Sequence, residues 1–275
     1  NTIIDGDSSG SVVVFNGGGG STAVLKNFKI TNGSGRDGIV GGATAGGGIV
    51  AGSKVTLENL FITGNSAVRA GGMWIGTEVT LKNSTISNNF SSGGGGVMIQ
   101  ASSPTLTNVL ITNNTSSERG GGLWTYAGPQ HLTVLTNVTI TGNAAGANGG
   151  GCYLNGPAPI FQSCDISNNT ASGSGGGIYA YNSPFILINT TMENNIAARY
   201  GGGIYHSGGD AIIIRCSISN NEASTVDIYG GGGGINTETS PMTVIKTSIT
   251  GNTGGGVYAC SGSDLTLDNV VISNN

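Results

Sequence analysis

Read as a string of apolar and polar positions, the chain repeats itself. An Ile or Met set among polar residues and followed three places later by Asn returns with its apolar residue at Ile30, Ile62, Ile86, Ile111, Ile140, Ile166, Met192, Ile218, Ile249 and Ile272. A glycine run closed by an apolar residue returns at Ile49, Met73, Val97, Leu123, Cys152, Ile178, Ile204, Ile235 and Val257. Copies are mostly 24 to 26 residues apart. Within one period three short alternating runs stand between turn residues: Ile178 to Ala180, Phe185 to Ile188, and Asn189 to Asn195. None is long enough for a helix. Self-similarity at this period marks a solenoid whose units bury their apolar side only by stacking. Three short strands per period predict an all-β chain, a single parallel β-helix domain over 1–275 with about ten coils. At about 4.8 Å per coil the rod is roughly 50 Å long.

Strand parity assigns the faces, because alternate residues point to opposite sides. Two places before the Ile column stand Leu60, Ser84, Val109, Val138, Cys164, Thr190, Cys216, Thr247 and Val270, small or apolar and expected inside. The immediate flanks, such as Thr85 and Ser87 or Ser217 and Ser219, are expected outside. The Asn three places on falls at a bend at Asn65, Asn89, Asn114, Asn143, Asn169, Asn195, Asn221, Asn252 and Asn275, where stacked amides satisfy themselves and the turn backbone. Gly33 breaks that column in the first copy. The residue after each glycine-run aliphatic is expected to face outward, and Trp74, Trp124, Tyr153, Tyr179, Tyr205 and Tyr258 occupy it, with Tyr126 and Tyr181 two residues further along the same face. Three readings fit that column: rings stacked for stability, a packing seam for another protein, and a platform for sugar rings.

Composition narrows the picture. With 52 Gly among 275 residues and 9% charged, the chain is unlike a helical domain, and its apolar positions are too regular for disorder. A net charge of −4 without a basic stripe argues against nucleic acid as a partner. No leader and no apolar run long enough to span a membrane is present, so a mature chain or a fragment is expected.

Chemistry-bearing residues are few and scattered. Cys164 and Cys216 share a column two coils apart, about 9.6 Å by the strand spacing and beyond disulfide reach, and Cys152 and Cys260 lie elsewhere on the rod. Asp5, Asp7 and Ser9 spell the first half of a calcium loop, but Asn16 stands where the bidentate Glu belongs, so a plain turn is the competing reading and calcium the only cofactor in view. The glycines of 33–38 match a dinucleotide fingerprint with no helix to follow. Asp165, Glu193 and Arg215 fall on three consecutive coils of the Ile-bearing strand and are the best candidate catalytic cluster, with a surface ion-pair set as the plainer reading. His131 lies in an insertion, and His206 takes an inward place filled elsewhere by Ala, Ile, Thr or Leu. The Thr and Ser flanks also suggest a water-ordering array, interrupted at Phe61, Leu110, Asp165 and Glu193.

Together, the glycine run closed by Ile, Leu or Val and the Ile-[Ser/Thr]-x-Asn half resemble the right-handed parallel β-helix repeat proteins of bacterial surfaces. They are similar to polymorphic outer-membrane-protein repeats, which carry Gly-Gly-Ala-[Ile/Leu/Val] and Phe-x-x-Asn, with Gly here in place of that Ala and Ile in place of that Phe. The resemblance spans the whole chain and implies a right-handed solenoid, secreted or surface-exposed, among adhesins, autotransporter passengers and polysaccharide-active enzymes. Asn1 and Asn275 both fall within a coil, so uncapped ends that dock head to tail are expected. The sequence therefore points to an extracellular or cell-surface structural or adhesive solenoid that self-associates end to end, with glycans or surface proteins as further partners. A polysaccharide lyase or hydrolase is the runner-up, and a carbohydrate-binding module using the aromatic column the third reading.

Overall fold

The computed structural model describes residues 2–17, 23–126, 130–156, 158–224, 231–260 and 262–275; Asn1, read as the start of the stack, lies outside them. One coil shows the plan. Ile178–Tyr181, Phe185–Ile188 and Thr191–Glu193 are the three expected strands, and Ile196–Ala197 is a fourth that alternation over two residues could not reveal. First strands stack into a 10-stranded parallel sheet, while second and third strands share a 19-stranded one. The fourth strands form a sheet of six.

Register is one residue to one residue along the rod. The Ile column runs Ile4, Ile30, Ile62, Ile86, Ile111, Ile140, Ile166, Met192, Ile218, Ile249, Ile272 without a slip. Its members from Ile30 to Ile249 are fully buried and join one continuous core. Thr2–Asp5 pairs with Phe28–Thr31, as expected for the tail of a preceding rung. The long first period is an excursion, where Arg36–Val40 and Ala43–Ala45 pair antiparallel before the chain rejoins the stack through a parallel bridge from Ala45 to Arg69.

Each corner has its own residue chemistry. Between the second and third strands the chain turns through one left-handed residue, Asn in most coils (Asn59 at φ 52°, Asn83 at 50°, Asn189 at 50°), because a short amide tolerates that region. Ser163, Arg215 and Lys246 hold the same place at φ 53°, 52° and 49°. The next side chain points inward and bridges coils: Thr190 Oγ1 donates to Ile188 O (3.1 Å) and accepts from the Cys164 N–H (3.3 Å), and Thr247 repeats this with Ile245 O and Cys216 N. The small inward column thus carries hydrogen bonds as well as volume.

At the following corner the amide ladder is complete. Asn169 lies fully buried, its N–H and Nδ2 donating to Asn195 Oδ1 (3.1 and 3.0 Å), its Nδ2 also to Ile140 O (2.8 Å), while its Oδ1 accepts from Asn143. Each amide from Asn65 to Asn252 donates to the next in this way, and Asn275 ends the ladder as the acceptor from Asn252. Gly33 donates its N–H to Asn65 Oδ1 (2.9 Å) and could carry no side chain, since a Cβ would collide with the Gly47 carbonyl. The glycine runs follow from the same crowding. A Cβ on Gly176 would lie 2.6 Å from Ile196 O, so the fourth strand closes onto the first only across bare backbone.

Candidate functional site

The aromatic column departs from the sequence expectation. Trp124 and Tyr153 are 6% and 4% exposed, Val50, Met98 and Asn236 in the same column are buried, and Trp74, Tyr179, Tyr205 and Tyr258 are half-buried. Segments before glycine runs reach over them at Arg69, Ala70, Arg119 and Tyr200: Ala70, Met98, Trp124 and Tyr153 form a second small core outside the sheet, with Val40 from the first-coil excursion packed on it. Outward from the sheet is therefore not outward to solvent. Only Tyr126 and Tyr181, both 45% exposed, stand clear of this cover.

Stacking is real along this column. Tyr153, Tyr179 and Tyr205 lie face to face at 5.0 and 4.8 Å with planes within 11° of parallel, and Trp124 meets Tyr153 edge-on at 6.1 Å. Two guanidiniums seat on the rings: Arg69 5.1 Å from the Trp124 centroid and Arg119 5.3 Å from that of Tyr153. Arg69 also pairs with Glu118 (3.5 Å). Gly93 makes room for this, because a Cβ there would run into the Trp124 ring and the Arg69 guanidinium. Burial pushes the Tyr179 hydroxyl up to about 12, and burial together with its hydrogen bond to Glu238 (2.7 Å) raises that of Tyr205.

The acidic candidates are not brought together. Asp165 stands in the column before the Ile rungs beside Thr139 and Thr191, and Glu193 in the column after them beside Ser167 and Ser219. Arg215 occupies the left-handed corner and donates from Nε to Asn189 Oδ1 (2.9 Å), while Glu193 accepts from Asn220 (3.2 Å). None of the ion pairs among the described residues joins two of the three. At the other end, Asp5 acts as a turn acceptor for the Asp7 N–H (2.9 Å) and for Asn32, which hold its carboxyl below its usual range, and Ser9 Oγ donates to Gly6 O. Cys152, Cys164 and Cys216 are buried as free thiols and Cys260 is half-buried. His206 is fully buried against Phe185, with Nδ1 3.2 Å from Thr237 Oγ1, and burial lowers its pKa.

One surface was not read from sequence. On the outer side of the second strands, Val134, Ile160, Ile186 and Ile212 align in one column and Ile188, Ile214 and Ile245 in the other, each at least partly exposed. A continuous apolar run such as Phe185-Ile186-Leu187-Ile188 has no polar residue to mark which side faces out, so the strand is legible and its outer face is not. The signal was available in comparison with Thr56, Thr80 and Thr105, which hold the Val134 column in earlier coils.

Repeated rungs, a saturated amide ladder and glycine-closed coils define a parallel β-solenoid. A family model described as "right handed beta helix region" matches residues 1–138, 76–236 and 162–275, and the chain belongs to that family. No curated protein and no solved structure matches it.

Proposed function

We propose that this chain is a non-enzymatic structural or adhesive β-solenoid of the cell surface or extracellular space, making its main contact sideways through the isoleucine face. The observation that carries the reading is the two-column aliphatic patch on a regular sheet. An exposed apolar patch of this kind marks a contact surface, and β-branched side chains on a pleated face interdigitate with a second such face at about 10 Å. A second copy of the chain offers the same surface, so two-fold lateral pairing of rods follows. The separation of Asp165, Glu193 and Arg215 into three columns supports the non-catalytic part of the reading, and the likeness of the repeat to outer-membrane-protein repeats supports the location.

Sedimentation velocity across a concentration series tests it. Wild-type chain is expected to associate, and the variant carrying Ile186→Thr, Ile188→Thr, Ile212→Thr and Ile214→Thr to sediment as a single rod with unchanged circular dichroism. A wild type that stays monomeric throughout, or a variant that associates equally well, overturns the lateral contact.

A further inference from the structure

Independently of the isoleucine face, we infer that the cavity beneath the first-coil excursion is a binding site for an aryl monocarboxylate, a single aromatic ring carrying one carboxylate. The cavity measures about 350 Å³, near the lower end of the range that small-molecule sites occupy. The excursion supplies one wall through Val40, the segment before Gly71 another through Val68, and the sheet of first strands the floor through Met98, Trp124 and Tyr126. Two donors at this cavity are left unpaired by the fold. Trp124 is 6% exposed and borders the cavity, yet its Nε1 is buried with no hydrogen-bond partner among the described residues, whereas the other indole, Trp74, donates to Gln100 Oε1 at 3.0 Å. Nη1 of Arg69, 3.5 Å from a Glu118 oxygen, is likewise buried and makes no hydrogen bond. Buried donors are paired as a rule, so orphans on a cavity wall point to an acceptor that comes from outside.

Charge fixes the kind of acceptor. Arg69 is paired with Glu118, while Arg119, which also lines the cavity and holds its guanidinium 5.3 Å from the Tyr153 centroid, forms no ion pair among the described residues. One positive charge is therefore left over, the complement of one carboxylate, which a planar guanidinium grips with two parallel N–H donors. The apolar walls fix the rest of the ligand. Trp124 and Tyr126 stand edge to face at 5.9 Å, an arrangement that a third ring can join by the same geometry. A sugar acid would press its hydroxyls against Val40, Val68 and Met98, where nothing receives them. A dianion would exceed the available charge.

The two indoles give the test its readout. Heteronuclear NMR of the isotope-labelled full chain resolves one indole N–H signal from Trp74 and one from Trp124, told apart by Trp124→Phe. Phenylacetate is expected to move the Trp124 signal downfield with a Kd of about 1 mM or tighter, ordinary for a ligand of this size, and to leave the Trp74 signal in place. Arg119→Gln should weaken binding about tenfold or more, and Val40→Ala by a smaller factor. Phenethyl alcohol, the same ring without the charge, and galacturonate, the charge without the apolar ring, should leave the Trp124 signal unmoved at the same concentrations. Because the Trp74 signal reports the fold in every variant, lost binding is separable from lost structure. A Trp124 signal that phenylacetate does not move, that either control moves equally, or that moves as readily in Arg119→Gln overturns the site. The isoleucine face lies on the other large sheet, so either conclusion can fail alone.

Discussion

Lys246 sits where most coils use Asn, at φ 49°, a backbone region that costs a residue lacking Asn's short polar side chain about 1 kcal/mol. Lys246→Asn is expected to raise stability by about 0.5–1 kcal/mol in urea unfolding, and a decrease would show that the lysine makes a compensating contact. His206 argues for a second residue-level effect. Burial lowers its folded pKa, so below its ordinary value of 6.5 the unfolded chain binds the proton more readily than the folded one. Its contribution is complete above pH 6.5 and is lost as pH falls further; His206→Leu should flatten that acid limb of the thermal-stability profile. The alkaline limb has the opposite sign. Tyr179 rises from 10.0 to about 12 on folding, so stability declines once pH exceeds 10. Among the thiols, the Cys164 group is pushed up to about 11 by burial, and Cys152 and Cys216 are buried with it. Native protein should therefore titrate one fast thiol with Ellman's reagent, Cys260, and four in denaturant.

At the level of the coil, the amide ladder and the glycine corner specify one another, and they were also what the sequence displayed most openly. A period near 25 with Asn at a fixed offset needs no partner to be seen, because every ladder contact is to an equivalent residue one coil away. The fourth strand was hidden because its two residues show no alternation, and its alignment depends on Asn169 and Gly176 on either side of it. The cover over the aromatic column was hidden for another reason: parity reports direction from the sheet, whereas burial of Trp124 depends on Arg69, Ala70 and Val40, which reach it from other coils. Removing one rung's amide tests the ladder. Asn169→Ala leaves the N–H groups of Asn143 and the carbonyl of Ile140 without partners and should cost about 2–4 kcal/mol, whereas Asn168→Ala, exposed and next to it, should cost far less despite its left-handed φ of 55°.

Across the whole rod, each coil touches only its neighbours, so stability is close to a sum of coil and interface terms. Hydrogen exchange on Asn169→Ala should lose protection in the rungs around Ile140, Ile166 and Met192 and keep it near Ile62 and Ile249; uniform loss would mean that the stack unfolds as one unit. The ladder also gives the molecule a sense of direction. From Asn65 to Asn252 every carboxamide donates one Nδ2 hydrogen bond to the next Asn toward the C-terminal end, alongside one to the preceding coil's carbonyl, and from Asn89 to Asn275 each Oδ1 accepts from the Asn before it. Aligned amides polarise one another through such a chain, so their dipoles add along the axis instead of cancelling. The rod is electrically a vector. Two rods lying side by side lower their field energy by pointing in opposite directions, which selects, between the two-fold axes that can pair the isoleucine faces, the one lying between the faces and perpendicular to the rods.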